Sequence, residues 1–179
     1  MTVDEYLGLV DQGLLEPDDR VELLDGVVVA MSPPNPPHCG NTARVVRALR
    51  RAVGARADVR EEKPLALGRY SLPEPDAAVV PIDPLEYTRS HPTTAFLVVE
   101  VADSSLPQDR LSKARIYAGA GIPEYWIVNL RDGHIEILRA PDASHRSYRE
   151  KTSVGRGTHL TLGALPDASV FSDDLLLPS

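Results

Sequence analysis

The chain has 179 residues, 42% of them hydrophobic, with a single cysteine and a formal net charge of −7. This fits one globular domain over residues 1–179 that buries about 70% of its unfolded surface, excludes a disulfide framework, and argues against a protein whose whole surface grips nucleic acid. The start MTVDEYLG has neither the basic region nor the apolar core of a signal peptide, and no apolar run approaches the roughly 18 residues of a membrane span, so a cytoplasmic location off the membrane is expected.

Thr2 with Glu5 three residues later makes a capping box, and Tyr6, Leu7, Leu9 and Val10 supply the apolar side of a first helix that Gly13 ends. Val21–Leu24 and Val27–Met31 flank Asp25-Gly26, a strong hairpin signal, and Glu22 lies on the first of these strands. The segment Ser32–Pro37 (SPPNPP) reads as a rigid connector, with His38 opening a helix that runs to about Gly54. On that helix Arg44, Arg47 and Arg51 recur at i, i+3, i+7 opposite Val45, Val46, Leu49 and Val53. Two readings stay open for them, a solvated face or a phosphate-facing stripe.

Val59–Leu67 reads as a strand, and a second strand follows Pro75 with Asp76 to Val80. Residues 81–94 form a surface excursion. The run Phe96–Val101 (FLVVEV) is a buried strand broken by one carboxylate, Glu100, and a buried charge needs a partner or a metal. Between Gln108 and Gly121 a helical wheel puts Asp109, Arg110 and Lys113 on the same arc as Ile116, Tyr117, Ala120 and Gly121. The later turns of this helix can pack on a sheet while its first turns aim a lysine toward the strand end. Lys113 has a second reading, an exposed i, i+4 pair with Asp109. Tyr125–Asn129 and His134–Arg139 flank a turn at Asp132-Gly133 and form a hairpin; Ala140–Gly157 reads as a loop or weakly paired edge; the tail from Leu160 closes a second face of the core.

Carboxylates on two successive strands, Asp76 and Glu100, can converge at one sheet edge. Two such oxygens, a backbone carbonyl and waters suit Mg²⁺ or Mn²⁺, and Lys113 would add positive charge where a phosphoryl transition state is most negative. Other chemistries are poorly supplied. Adjacent Cys39 and His38 point in different directions on a helix, five scattered histidines with one cysteine do not make a zinc site, and Gly155-Arg156-Gly157 is too short to cradle phosphates. Tyr125 and Trp126 read as core residues rather than a base-stacking platform.

The ordered set Glu22-Leu-Leu-Asp25-Gly26, Ser32-Pro33-Pro34, His38, Pro75-Asp76, Val99-Glu100-Val101, Asp109-Arg110 with Lys113 and Tyr117, and Pro123-Glu124-Tyr125-Trp126 resembles the Uma-type family of bacterial restriction endonuclease-like proteins, itself similar to the PD-(D/E)XK nucleases. The resemblance runs from about Glu5 to Arg139. It implies an α/β fold, a restriction-endonuclease-like mixed sheet flanked by helices, with an N-terminal helix and hairpin and added C-terminal strands. It also implies a metal-dependent phosphodiesterase in which Asp76 and Glu100 bind the metal and a lysine assists, with Glu22 and His38 near the site. Two departures stand out. Ala102 occupies the superfamily's lysine position, so Lys113 is the proposed replacement, and the loop after Glu100 carries Asp103, which could bind metal or cap the helix. The resulting expectation is a Mg²⁺- or Mn²⁺-dependent endonuclease acting on DNA as a homodimer, with Arg44, Arg47, Arg51 and Arg110 as candidate DNA contacts. The competing expectation is a nuclease fold without catalysis, serving as a DNA-binding or protein-interaction module.

Overall fold

A computed structural model describes residues 1–16 and 19–178. The chain begins with α1 (Val3–Asp11), whose N-cap Thr2 and Glu5 form the reciprocal capping box. The hairpin β1 (Val21–Leu24) and β2 (Val27–Ala30) follows, and its two turn residues, Asp25 and Gly26, both take positive φ, 49° and 82°, as a two-residue type I′ turn requires. Next come α2 (Pro36–Val53), β3 (Asp58–Glu61), β4 (Ala77–Val80) and β5 (Leu97–Ala102). A helical crossover is built from a single turn α3 (Leu106–Gln108), a π-helix (Asp109–Lys113) and α4 (Ala114–Gly119). The chain then runs through β6 (Glu124–Asn129), β7 (His134–Asp142), β8 (Ser147–Val154), β9 (His159–Leu162), β10 (Leu165–Phe171) and α5 (Ser172–Leu175).

Strands β3 to β8 make one six-stranded sheet in sequence order, antiparallel throughout except for the parallel pair β5 and β6. A parallel pair needs a crossover, and the α3 to α4 segment supplies it. One sheet face packs Ala77, Val79, Leu97, Val99 and Trp126 against Val45, Val46, Leu49 and Val53 of α2, with Leu160, Leu162 and Val170 of β9 and β10 completing that layer. The other face packs Ala78, Val98, Tyr125 and Ile127 against Ile116 and Tyr117 of α4. With both faces covered, β4, β5 and β6 are buried at every position, which is why they read as continuous apolar runs. Tyr125 and Trp126 are core residues, as their sequence context implies. No described helix is long and apolar enough to cross a membrane.

Three local expectations are corrected and one open reading is resolved. Pro36 and Pro37 belong to the first turn of α2 instead of a connector. A helix start leaves its first N–H groups unsatisfied, so prolines cost nothing there, and His38 brings the first N–H, which Asn35 accepts through Oδ1 at 3.0 Å. Strand β3 ends at Glu61, not Leu67, because Glu62 takes a positive φ of 46° and Pro64 has no N–H for a ladder. Of the two readings of residues 140–157, loop or edge, the edge holds and is paired along its length: β7 extends to Asp142, and β8 runs along it as the outer strand. Its polar sequence SYREKTSV hides the assignment because it lies at the sheet edge, where charged residues discourage further pairing. Ala120 and Gly121, which the wheel puts on the inward arc, are exposed, because the helix stops at Gly119 and Gly121 takes a φ of 72° beyond its end.

Asn35 caps α2 and also donates from Nδ2 to Asp103 Oδ2 at 2.7 Å, joining the helix start to the loop after β5. Asn35→Ala is expected to lower unfolding free energy by about 1–2 kcal/mol in urea denaturation, with Asn35→Ser recovering most of the cap.

Candidate active site

The site lies at the end of the sheet where three layers meet. Ala77 pairs with Val99, so the register sets Asp76, one residue before β4, across from Glu100 in β5. Asp76 Oδ2 accepts the Val101 N–H at 2.6 Å, which fixes its carboxylate against the neighbouring strand. From one face, the first turn of α2 brings His38 Nε2 to 3.3 Å from Asp76 Oδ1. From the other, the π-helix brings Lys113 Nζ to 3.0 Å from Glu100 Oε1 and 3.4 Å from Glu22 Oε1. Glu22 comes in on β1, its Oε2 accepting the Glu74 N–H at 3.2 Å and its Oε1 receiving Gln108 Nε2 at 3.3 Å. Thus Glu22, His38, Asp76, Glu100 and Lys113 line one cleft. The exposed pairing of Lys113 with Asp109 is not what forms: Lys113 is 5% exposed and its two ion-pair partners are glutamates.

The lysine reaches inward from a π-helical segment. Asp109 and Lys113, four residues apart on it, are both buried, while Leu111 between them is left 67% exposed. Single π turns inside helices are frequent at functional sites. Asp109 accepts Ser105 Oγ at 2.7 Å, and Tyr117 donates its hydroxyl to Glu100 Oε1 at 2.7 Å.

The charge balance is lopsided. Carboxylates of Glu22, Glu74, Asp76, Glu100, Asp103 and Asp109 face the ammonium of Lys113, the guanidinium of Arg20 and the imidazole of His38. Burial pushes the Glu100 carboxyl well above its ordinary value, opposed by Lys113 and reinforced by Asp109, Asp76 and Glu22. Burial likewise pushes Asp109 up to about 6. For Lys113, burial would favour the neutral amine, but Glu100, Glu22 and Asp109 outweigh it and hold the group firmly as an ammonium. The hydrogen bond to Asp76 raises the His38 imidazole, against the effect of its partial burial.

Among the described residues no three His, Cys, Asp or Glu side chains are arranged as a ready metal cage. Mg²⁺ does not require one, since it is commonly held by one or two carboxylates and keeps several waters. The donor set fits that pattern: hard oxygens, excess negative charge, and a Glu100 Oε2 that accepts no hydrogen bond among the described residues and is not a buried orphan. Asp76 and Glu100 are the residues able to hold such an ion.

The arginines fall elsewhere. At 1.5 Å per helical residue, Arg44, Arg47 and Arg51 stand about 9, 14 and 20 Å along α2 from His38. Arg44 donates to the Asp173 carbonyl at 2.9 Å and Arg51 pairs with Asp174 at 3.0 Å, tying α2 to the C-terminal segment, whereas Arg47 is exposed. Arg110 covers the sheet face by pairing with the buried Glu136, its Nε at 2.9 Å. Burial pushes the Glu136 carboxyl up, but the hydrogen bonds from Arg110 and Lys151 prevail and hold it at about 2. Asp103 bonds Asn35 and Arg131; the turn α3 starts after Ser105 without a side-chain cap. Sequence reasoning missed Arg20, Glu74 and Gln108 as lining residues. Arg20 had a signal, since it precedes Glu22 by two residues, and residues two apart on an extended chain share a side.

Asp109 keeps its proton to about pH 6 when folded, against 3.8 ordinarily, so the folded chain binds more protons between those values and stability falls as pH rises through them. Above pH 6 the full penalty, about 3 kcal/mol, is present. Asp109→Asn is therefore expected to raise unfolding free energy by up to about 3 kcal/mol at pH 7.5, with the gain gone by about pH 4, as read by metal-free denaturation at both pH values.

Comparison with known proteins agrees with this fold. No curated protein matches the chain. A solved structure described as "a putative nuclease belonging to DUF820" from Anabaena variabilis superposes with a TM-score of 0.78 over 98% of this chain and 97% of that one, at 16% identity, a likeness of fold. The family profile described as "putative restriction endonuclease" matches residues 3–176, and the chain belongs to that family, Uma2.

Proposed function

We propose that this protein is a divalent-metal-dependent endonuclease that hydrolyses DNA phosphodiester bonds by attack of water. The observation that carries this reading is the return of Lys113, from the helix after β5, to within 3.0 Å of Glu100 and beside Asp76 in one cleft. Family membership supports a nuclease, and the chemistry of the cleft supports the metal. A bound Mg²⁺ or Mn²⁺ would lower the pKa of a water and neutralise charge on a phosphoryl oxygen.

The protein's own residues take the remaining roles. Asp76 and Glu100 supply the hard oxygens. Lys113, kept charged by its two glutamates, places an ammonium where negative charge grows on the phosphate. Glu22 holds that ammonium from the hairpin side, and Gln108 of α3 steadies Glu22 by donating to its Oε1. His38, half-buried at the mouth and with its imidazole raised by Asp76, is the group able to hand a proton to the departing oxygen. Cutting both strands with one such cleft per chain favours a homodimer.

A catalytically silent binding module is the rival suggested by Ala102 at the superfamily's lysine position. The ammonium of Lys113 in the cleft speaks against it. Supercoiled plasmid incubated with the purified protein and Mg²⁺ or Mn²⁺ is expected to be nicked, and Glu100→Gln or Lys113→Met to lower the rate by at least about 100-fold with the fold intact by circular dichroism. Equal nicking by wild type and both variants would assign the activity to a contaminant and overturn the proposal.

A further inference from the structure

Glu100 has a problem that its own side chain cannot solve. The last torsion of a glutamate is broad, so nothing intrinsic decides which carboxylate oxygen faces a ligand. In this fold two donors meet on the same oxygen: Lys113 Nζ at 3.0 Å and Tyr117 Oη at 2.7 Å both bind Oε1. Oε2 accepts no hydrogen bond among the described residues and stays open to the cleft.

The two donors are not equivalent. Lys113 carries its ammonium on a flexible four-carbon stem and is also drawn to Glu22 at 3.4 Å. Tyr117 is rigid and fully buried, with its ring held edge-on by Tyr125 at 4.9 Å between centroids. A buried tyrosine hydroxyl finds some partner as a matter of course. Tyr125 shows the ordinary solution, since its hydroxyl, equally buried, donates to the backbone carbonyl of Asp109 at 3.2 Å. Tyr117 donates instead to one of the two carboxylates that the metal would need.

We propose that Tyr117 is a positioning residue for the metal: by fixing Oε1 of Glu100 from behind, it presents Oε2 to the cation. This rests on the reading of the cleft as a divalent-metal site. Tyr117 touches neither substrate nor metal. Outer partners of this kind are commonly worth 10- to 100-fold in metal affinity.

The pair of tyrosines supplies a matched test. Calorimetric titration with Mn²⁺ is run on the wild type, Tyr117→Phe and Tyr125→Phe, each checked by thermal melting. Both variants remove one buried hydroxyl from the same aromatic pair, so a general packing or folding defect appears in both. The Mn²⁺ dissociation constant is expected to rise at least about tenfold in Tyr117→Phe and to stay within about twofold of wild type in Tyr125→Phe. In plasmid nicking, the Mn²⁺ concentration for half-maximal rate is expected to rise by the same factor, while saturating Mn²⁺ restores Tyr117→Phe to within about threefold of the wild-type rate. Equal shifts in the two variants, or none in Tyr117→Phe, would overturn the positioning role while leaving the metal site standing. A wild type that binds no Mn²⁺ would remove the metal site and this role together.

Discussion

One buried ammonium organises the functional end of this molecule. Lys113 lies between Glu22 and Glu100, so a single charge joins the N-terminal hairpin, the central strand and the crossover helix, three segments far apart in sequence. Each glutamate alone would be costly to bury, and so would the lysine, because desolvating any of them outweighs most single interactions. Together with the hydroxyl of Tyr117 and the amide of Gln108 they are mutually satisfied, though with negative charge left over. That residue of charge is the feature on which the proposed cation site rests.

The scaffold delivers these groups through ordinary devices. An asparagine cap and two prolines define the start of α2 and with it the place of His38. An antiparallel register sets Asp76 across from Glu100. The i, i+4 spacing of Asp109 and Lys113 in the π-helical turn buries both together. None of these is costly in isolation, but the cleft keeps Asp109 where its ionised form is penalised, the pattern expected where stability is given up for a charged, desolvated site.

Much of this was legible in the sequence because the signals were local. The capping box, the Asp25-Gly26 hairpin and the apolar strands around Glu100 depend on near neighbours, and a glutamate inside FLVVEV announces a buried charge before any coordinates. What escaped the sequence was set by tertiary context. Pro36-Pro37 looks like a break until it is seen at a helix start, where its missing N–H groups do no harm. The strand β8 is polar because it lies at a sheet edge, and polarity alone cannot separate an edge from a loop. A uniform 100° wheel finds that Lys113 faces inward but cannot foresee the π turn in which it lies. The arginines of α2 share a face as their spacing requires, yet whether a face meets phosphate or a neighbouring segment is decided by chain ends more than a hundred residues away, here Asp173 and Asp174.

The small side chain at position 102 gives the parallel strand pair a wider meaning. Ala102 is fully buried in the same apolar cluster as Tyr117 and Ile116, on the face over which the crossover must travel to reach β6. A long cationic side chain on the strand at that point would have to lie among those apolar residues, away from water. The ammonium of Lys113 enters the cleft from the helix instead, where Glu22 and Glu100 answer it. An alanine on the strand thus leaves room for an apolar layer between sheet and crossover while the charge is supplied from the other side of the cleft.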